Sequence, residues 1–483
     1  LKPFWLKYFG SIGERVPSIT CLAQRPQATP FDNAPPPRNM LVGIASVVLL
    51  ATSAWKDECK HRKIDTQAGR LPNHAADKSP IPFEPKDEGC NWLGCDFSVA
   101  VMAGCEAREK GVGAPCQPKR TMTKYVELGL CNVCDTNYTV GKGEQLMQDA
   151  WLVHCSKTRR QCVYAVTDGH GSYGEEVSSG VIHKLYEELD KGRVTIDKEG
   201  KWIQGFIDRY DQTLSKDRKY NDDRSFPGGS TVAGAVVLDG AVHVFHAGDS
   251  RVVVADNTGT LVFGTTDHTW GLADERDRAI KHPTKPVHPK APAPIPYPWS
   301  FESVPVDTSQ RIREKEAWLD KLRLQPWGLM PSRGIGDISA KKWTGAAFFD
   351  NRKKATGGLA KMSESGFSNA VEYNVLPGSR LLGKVVIASH GVFDKISSTW
   401  KPPRAPSEWR LAALGRRLRW CRQAKDKSND AVLHLLNEQG STTVSLVQKS
   451  REAMEGYTES CEQHIYIDDM TAITINLGQT ERA

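Results

Sequence analysis

The sequence predicts a layered α/β sandwich, because short strand-like runs alternate with amphipathic helical segments from Tyr138 onward. The strand-like runs are rich in valine and alanine, and most are bounded by Gly or Asp; they span residues 162–167, 231–238, 242–247, 251–255 and 385–389. The second and third runs are joined by Asp239-Gly240, a dipeptide typical of a hairpin turn. Apolar residues recur with helical spacing over 177–189 and 202–214, which predicts a helix in each segment.

Composition favours a soluble globular protein with a large core. The chain has 483 residues, of which 39% are hydrophobic and 25% charged. Its formal net charge of +7 is small for this length and lacks the basic excess typical of nucleic-acid binders. We therefore expect no nucleic-acid partner, and we expect a monomer.

The first 135 residues differ in character from the rest. They are rich in Pro, Cys and charge and have no sustained strand or helix periodicity, which predicts an N-terminal extension, 1–135, with little regular structure. Seven of the twelve cysteines lie between Cys59 and Cys134. The pair Cys131 and Cys134 has the spacing of half a zinc site, but no matching pair follows, so free or disulfide-bonded thiols are favoured. Eight prolines within 281–305 predict a surface insertion.

An apolar segment over residues 40–55 bears on localisation. It is free of charge but shorter than the roughly 20 residues of a membrane span, and it resembles the apolar part of a signal peptide. The basic flank before it is only Arg38, so an intracellular location in cytoplasm or nucleus is favoured. Secretion, or membrane association through 40–55 alone, is the alternative. The sequon at Asn137 matters only in the secretory case.

Residues 410–422 form a basic amphipathic pattern, with Leu411, Leu414 and Leu418 on one helical face. Such a helix could meet an anionic membrane or nucleic acid. A domain helix that packs through its leucines and leaves its arginines in solvent is favoured.

Aspartates mark four turns next to the predicted strands. The segments are Thr167-Asp168-Gly169-His170-Gly171, Gly248-Asp249-Ser250-Arg251, Ser389-His390-Gly391-Val392-Phe393-Asp394 and Ile467-Asp468-Asp469-Met470-Thr471. Each segment alone is typical of an ordinary turn. Together they predict a hard-metal site, because carboxylates at strand ends converge when strands pair, and glycine lets a backbone carbonyl approach a cation.

In chain order, these segments and four others resemble the motifs of the metal-dependent protein phosphatases of the 2C type (the PPM family). The matching segments are Gln148-Asp149-Ala150, Asp168-Gly169-His170-Gly171, Gly229-Ser230-Thr231, Gly248-Asp249-Ser250-Arg251, Asp267-His268, Ser332-Arg333-Gly334-Ile335-Gly336-Asp337, Ser389-His390-Gly391-Val392-Phe393-Asp394 and Asp468-Asp469-Met470-Thr471. The resemblance implies a phosphatase domain over 136–478. It also implies a central β-sandwich of two mostly antiparallel sheets, flanked by helices on both outer faces.

The same resemblance implies site residues and cofactors. Two Mg²⁺ or Mn²⁺ ions would activate a water that attacks phosphoserine or phosphothreonine in phosphoprotein substrates. Asp168 would bridge the ions, the Gly169 carbonyl would serve one and Asp468 the other, and His170 would protonate the leaving alkoxide. Three further carboxylates would hold metal-bound waters or a third ion: Asp149, Asp249 and Asp394.

Three positions depart from the family pattern. Gln148 stands where the family has a metal-binding glutamate, and His390 where it has an aspartate. Both remain candidate ligands, and an imidazole ligand favours Mn²⁺ over Mg²⁺. Glu144 replaces a phosphate-binding arginine, whose role Lys142 could take. Two hypotheses follow: a phosphatase with a degenerate metal site, or a catalytically inactive pseudophosphatase that acts as a binding or regulatory protein.

Overall fold

Two stacked β-sheets with helices on both outer faces form the body of the protein, so the predicted fold class is confirmed. The structure is a computed structural model. It describes residues 80–83, 96–107, 117–118, 126–133, 136–140, 147–156, 158–220, 228–281, 286–287, 323–324, 329–342, 367–377, 382–396, 428–461 and 465–477, all within the compact unit Leu71–Ala483.

Twenty strands and seven helices make up the described part of the chain, and the first eight strands precede the first helix. The strands are β1 (Ile81–Phe83), β2 (Asp96–Met102), β3 (Cys105–Ala107), β4 (Gln117–Pro118), β5 (Val126–Cys131), β6 (Thr136–Val140), β7 (Asp149–Ser156), β8 (Gln161–His170), β9 (Gly229–Ser230), β10 (Val232–Leu238), β11 (Ala241–Ala247), β12 (Arg251–Asp256), β13 (Leu261–Gly264), β14 (Pro286–Val287), β15 (Arg323–Leu324), β16 (Ile335–Gly336), β17 (Glu372–Pro377), β18 (Leu382–Ala388), β19 (Ile465–Ile467) and β20 (Met470–Asn476). The helices are α1 (Gly174–Asp190), α2 (Lys201–Leu214), α3 (Ala273–Lys281), α4 (Ile338–Lys342), α5 (His390–Phe393), α6 (Ser428–Asn437) and α7 (Thr443–Cys461).

The larger sheet has the order β17-β11-β10-β8-β7-β5-β6, with β9 and β16 joined beside β8. The smaller sheet has the order β1-β2-β20-β18-β12-β13. Neighbouring strands are antiparallel except for β5 and β7, which are parallel. The predicted hairpin joins β10 to β11, and Asp239 and Gly240 both have positive φ, as a tight hairpin turn requires.

Three hydrophobic layers separate these elements. Strand β7 shows the arrangement, because successive side chains point to opposite faces. Trp151 and Val153 pack between the two sheets, whereas Ala150 and Leu152 pack against the outer helices α1 and α2. Helices α6 and α7 cover the other sheet. Strands that are buried on both faces are therefore apolar along most of their length.

The N-terminal extension contains more structure than the sequence predicted. Strand β2 lies inside the smaller sheet between β1 and β20, and β5 joins the larger sheet. Between residues 81 and 131 the expectation of little regular structure was wrong. In β2, Val99 faces the inter-sheet core and Ala100 faces the helical layer. Because both faces are buried, the strand lacks the polar alternation that would mark it in the sequence.

Several sequence predictions fall outside the described residues. They are the apolar segment 40–55, the basic segment 410–422, Lys142, Glu144 and most of the insertion 281–305, of which 286–287 form β14. Among the residues that the structure describes, no helix is long and apolar enough to cross a membrane.

Candidate metal centre

The register of β7 and β8 brings two carboxylates face to face. Asp149 begins β7 and lies directly opposite Asp168, near the end of β8. The backbone around Asp168 is fixed, because its carbonyl accepts a hydrogen bond from the Thr231 N–H at 2.9 Å. The Gly169 N–H donates to the Gln148 carbonyl at 2.9 Å. The larger sheet thus supplies two adjacent acidic groups at the ends of two central strands.

The smaller sheet contributes the segments around residues 390 and 468. The His390 N–H, at the start of α5, donates to Asp168 Oδ2 at 3.2 Å. A Cβ atom built on Gly391 would lie 2.1 Å from the Asp469 carbonyl oxygen and 3.1 Å from Asp468 Cβ. Only glycine permits this close approach of α5 to the turn before β20. Residues 222 positions apart are therefore joined in one site.

Asp249 and Asp394 complete the acidic cluster. Asp249 lies in the turn between β11 and β12, after Gly248, whose φ is +114°. Asp249 is buried, and its charge acts on both Asp168 and His390. Asp394 follows α5, and its Oδ1 lies 3.7 Å from His390 Nε2. The structure thus brings together the predicted carboxylates Asp149, Asp168, Asp249, Asp394 and Asp468, of which Asp149 and Asp249 are buried and the others are partly exposed.

The cluster holds more negative charge than its described surroundings neutralise. Burial, and then the charges of Asp469 and Asp468, raise the pKa of Asp149 well above its usual value. Burial and the charge of Asp149 do the same for the pKa of Asp168. Both carboxylate oxygens of Asp149 are buried, and the nearby Ser389 and Thr471 hydroxyls offset only part of this increase in its pKa. Buried oxygen donors with uncompensated charge fit a hard divalent cation such as Mg²⁺ or Mn²⁺.

His390 changes the charge balance of this centre. Its Nδ1 lies 3.5 Å from Asp468 Oδ2, opposite the contact with Asp394. Burial disfavours the charged imidazole, but Asp394, Asp468 and Asp249 outweigh it and raise the pKa of His390 to about 9. In the metal-free protein a protonated His390 therefore supplies part of the positive charge that a cation would otherwise bring.

Gln148 takes part in a hydrogen-bond network with a neighbouring helix. Its side-chain Nε2 donates to the Gly171 carbonyl at 2.9 Å and to Glu175 Oε2 at 3.0 Å. Glu175 is buried in the first turn of α1. Its carboxylate thus lies next to the position where the family pattern has glutamate, a neighbour that sequence reasoning missed. Only the tertiary contact reveals it, since 27 residues separate the two side chains.

Asp469 has a structural role beside the centre. Its Oδ1 accepts from the Gly104 N–H at 2.6 Å, and its Oδ2 accepts from the Gln148 N–H at 2.8 Å. Two backbone donors therefore hold this carboxylate, and through it β20 is tied to both β7 and the turn before β3.

His170 has a partner to which the sequence assigned no role. Its Nε2 lies 2.8 Å from Oδ2 of Asp337, which is buried and has a positive φ of +47°. Burial alone would lower the pKa of His170, but the charge and hydrogen bond of Asp337 raise it. Asp337 thus favours the imidazolium, the form that can donate a proton. In the sequence, the only indication of this role was that Asp337 ends the motif Ser332–Asp337.

A second group of possible ligands comprises His246, His268 and Glu372. His268 Nδ1 accepts from the Gly248 N–H at 3.2 Å, so its Nε2 carries the proton and faces Glu372 at 3.3 Å. The two imidazole rings stack with centroids 4.2 Å apart. His246 Nε2 donates to the Thr266 carbonyl at 3.0 Å, so most nitrogen and carboxylate atoms of this group already take part in hydrogen bonds.

Comparisons with known proteins agree with the resemblance to the phosphatases of the 2C type. The family model described as protein phosphatase 2C matches residues 140–283. A "Probable protein phosphatase 2C 2" from Arabidopsis thaliana is 25% identical over 241 residues, covering 50% of this chain and 47% of that protein. This chain therefore spans about half the length of that relative. The resemblance predicted from the motifs is confirmed.

Solved structures are similar at low identity. A serine-threonine phosphatase 2C from Toxoplasma gondii is 14% identical with a TM-score of 0.40, covering 82% of this chain and 98% of that one. The phosphatase Stp1 from Staphylococcus aureus is 14% identical with a TM-score of 0.37, covering 70% and 91%. A C. elegans sex-determining protein is 13% identical with a TM-score of 0.39, covering 76% and 68%.

Proposed function

We propose that this chain is a metal-dependent protein serine/threonine phosphatase with an altered metal site. The premise is that residues 140–283 match the family model of protein phosphatase 2C. The observation that carries the proposal is the cluster of buried Asp149 and Asp249 with partly exposed Asp168 and Asp468. Its charge is costly without a cation and is arranged at the junction of two rigid sheets. Phosphoserine or phosphothreonine in a protein is the proposed substrate.

The metal ligands and the histidine each have a part in this reaction. Asp168 and Asp468 would hold the divalent ion or ions, with help from the Gly169 carbonyl. The bound metal would supply a water acidic enough to act as a nucleophile near neutral pH. His170 would donate a proton to the leaving alkoxide, and Asp337, 2.8 Å away, would orient the imidazole and favour its protonated form.

Manganese is the proposed preferred ion. With Gln148 and His390 in place of two carboxylates, fewer anionic oxygens remain for Mg²⁺ than the family pattern provides. An imidazole ligand at 390 would favour a later metal. For that, His390 must lose its proton and turn from Asp394 and Asp468, so metal binding would release a proton.

A binding protein without catalysis is the second candidate, and the same histidine favours it. A protonated His390 between Asp394 and Asp468 can offset part of the negative charge of the cluster in place of a metal. The fold would then persist without catalysis, and its surface would recruit phosphoproteins.

Activity on a phosphothreonine peptide tests the choice between these functions. The full chain would be assayed with Mg²⁺ and with Mn²⁺ beside two variants, Asp168→Asn and His390→Asp. A phosphatase requires wild-type turnover that Asp168→Asn abolishes. If wild type is inactive and His390→Asp restores turnover, the chain is a binding protein in which His390 takes the place of a metal ligand.

The Gln148 position needs a paired design. Gln148→Glu alone would place a second carboxylate about 3.0 Å from Glu175, and the two charges would repel each other. The exchange Gln148→Glu/Glu175→Gln keeps one carboxylate and one amide in the pair. We expect the exchange to raise Mg²⁺-dependent activity, with Glu175→Gln as its matched control. Equal activity of exchange and control would exclude Gln148 as the cause of weak metal binding.

A further inference from the structure

All four cysteines whose side chains the structure describes are in disulfide bonds. Cys155 is bonded to Cys162, and Cys105 and Cys131 are also disulfide-bonded. None of them is exposed. A domain in a reducing compartment ordinarily keeps its cysteines as free thiols, whereas secreted and lumenal domains use them as cross-links.

The Cys155–Cys162 bond follows from the strand pairing itself. The two residues lie directly opposite each other on the antiparallel strands β7 and β8, with Cα atoms 4.1 Å apart. Asn132 fixes the backbone of Cys155 on the other side: its Oδ1 accepts from the Cys155 N–H at 2.8 Å, and its Nδ2 donates to the Cys155 carbonyl at 2.9 Å. The folded sheet therefore places Cys155 and Cys162 side by side, and the disulfide closes between them.

The position of this bond links it to the metal centre. The same two strands that Cys155 and Cys162 join at one end carry Asp149 and Asp168, also directly opposite each other, at the other. A one-residue slip of β7 against β8 would turn one of these carboxylates to the wrong face of the sheet. The disulfide forbids such a slip, so it stabilises the strand register on which the acidic cluster depends.

We propose that this domain matures and acts in an oxidising compartment, the secretory lumen or the cell exterior, with Cys155–Cys162 as a structural cross-link. In forming it, two thiols lose two protons and two electrons to a disulfide donor such as oxidised glutathione, which leaves as two thiols. This selects the secretory alternative over an intracellular location. Resting on the proposed function, it makes phosphoproteins of that compartment the substrate class.

Mapping of the cysteines in the full chain, isolated from the cells that make it, tests the proposal. Free thiols are alkylated under denaturing conditions before any reductant is added, and peptides are then identified by mass. We expect the Cys155 and Cys162 peptides to remain joined until reduction. Alkylation of both residues before reduction would overturn the proposal. Because the mapping needs no activity, its result stands apart from the phosphatase assay.

A stability measurement separates this bond from the others. In a loop-entropy estimate, closing a loop between residues seven apart changes the unfolding equilibrium constant by roughly 50-fold. Reductant should therefore shift the unfolding of wild type by about that factor more than it shifts Cys155→Ala/Cys162→Ala, which retains the remaining cysteines. Equal shifts in the two proteins would contradict a cross-linking role for this pair.

Discussion

Glu275 on α3 anchors the segment that carries Asp337, and its replacement by Gln should destabilise the protein in a pH-dependent way. Its Oε1 accepts from Arg333 Nη2 at 2.6 Å, and its Oε2 accepts from Arg278 Nη2 at 2.6 Å and from the Ser332 hydroxyl. The side chain is only 1% exposed, so solvent screens these ion pairs little. Glu275→Gln keeps the shape but removes the charge.

The pKa of Glu275 determines how much stability the substitution should remove. Burial would raise it, but hydrogen bonds and charges from Arg278 and Arg333 lower it from 4.5 to about 2. A difference of about 2.5 pH units at about 1.4 kcal/mol each corresponds to about 3 kcal/mol. Because the folded-state pKa is depressed, this stability is complete above about pH 4.5 and is lost as the pH falls towards about 2.

Urea unfolding at a series of pH values measures this effect. We expect the free energy of unfolding of Glu275→Gln to lie about 3 kcal/mol below wild type near pH 7, with the gap closing between about pH 4.5 and about pH 2. Both proteins contain the acidic cluster, so its titration contributes equally to both free energies of unfolding and drops out of their difference. A gap that stays constant down to about pH 2 would refute the assigned ion pairs as the cause.

Three further substitutions probe other contacts. Asp337→Asn should lower the pKa of His170, because the neighbouring carboxylate that offsets burial is lost; an NMR titration of the imidazole in metal-free protein measures this, and an unchanged midpoint would contradict it. Lys341→Met should cost about 3–5 kcal/mol in urea unfolding by leaving the fully buried Asp211 unpaired, and much of that loss should return in Lys341→Met with Asp211→Asn. Ile473→Ala, in the inter-sheet core, should cost about 2–5 kcal/mol by opening a cavity, whereas a loss below about 1 kcal/mol would mean that the site collapses around the smaller side chain.

Most of the sandwich could be predicted because its elements carry local signals. The helix periodicity over 177–189 and 202–214 corresponds to α1 and α2, and the Asp239-Gly240 turn joins β10 to β11. Strand β2 carried no such signal, since a strand buried on both faces does not alternate polar and apolar residues. The N-terminal strands were therefore missed although they complete the smaller sheet.

The sequence by itself determined the fold class and which side chains are available for metal chemistry, because turn motifs and strand ends are local features of the chain. The tertiary structure decided how those side chains meet. The contact of His390 with Asp168 spans 222 residues, and the contact of His170 with Asp337 spans 167. Glu175 beside Gln148 and Cys155 opposite Cys162 likewise depend on packing and strand register. Distances between such residues, and the charge that their burial leaves uncompensated, arise only when the two sheets pack together.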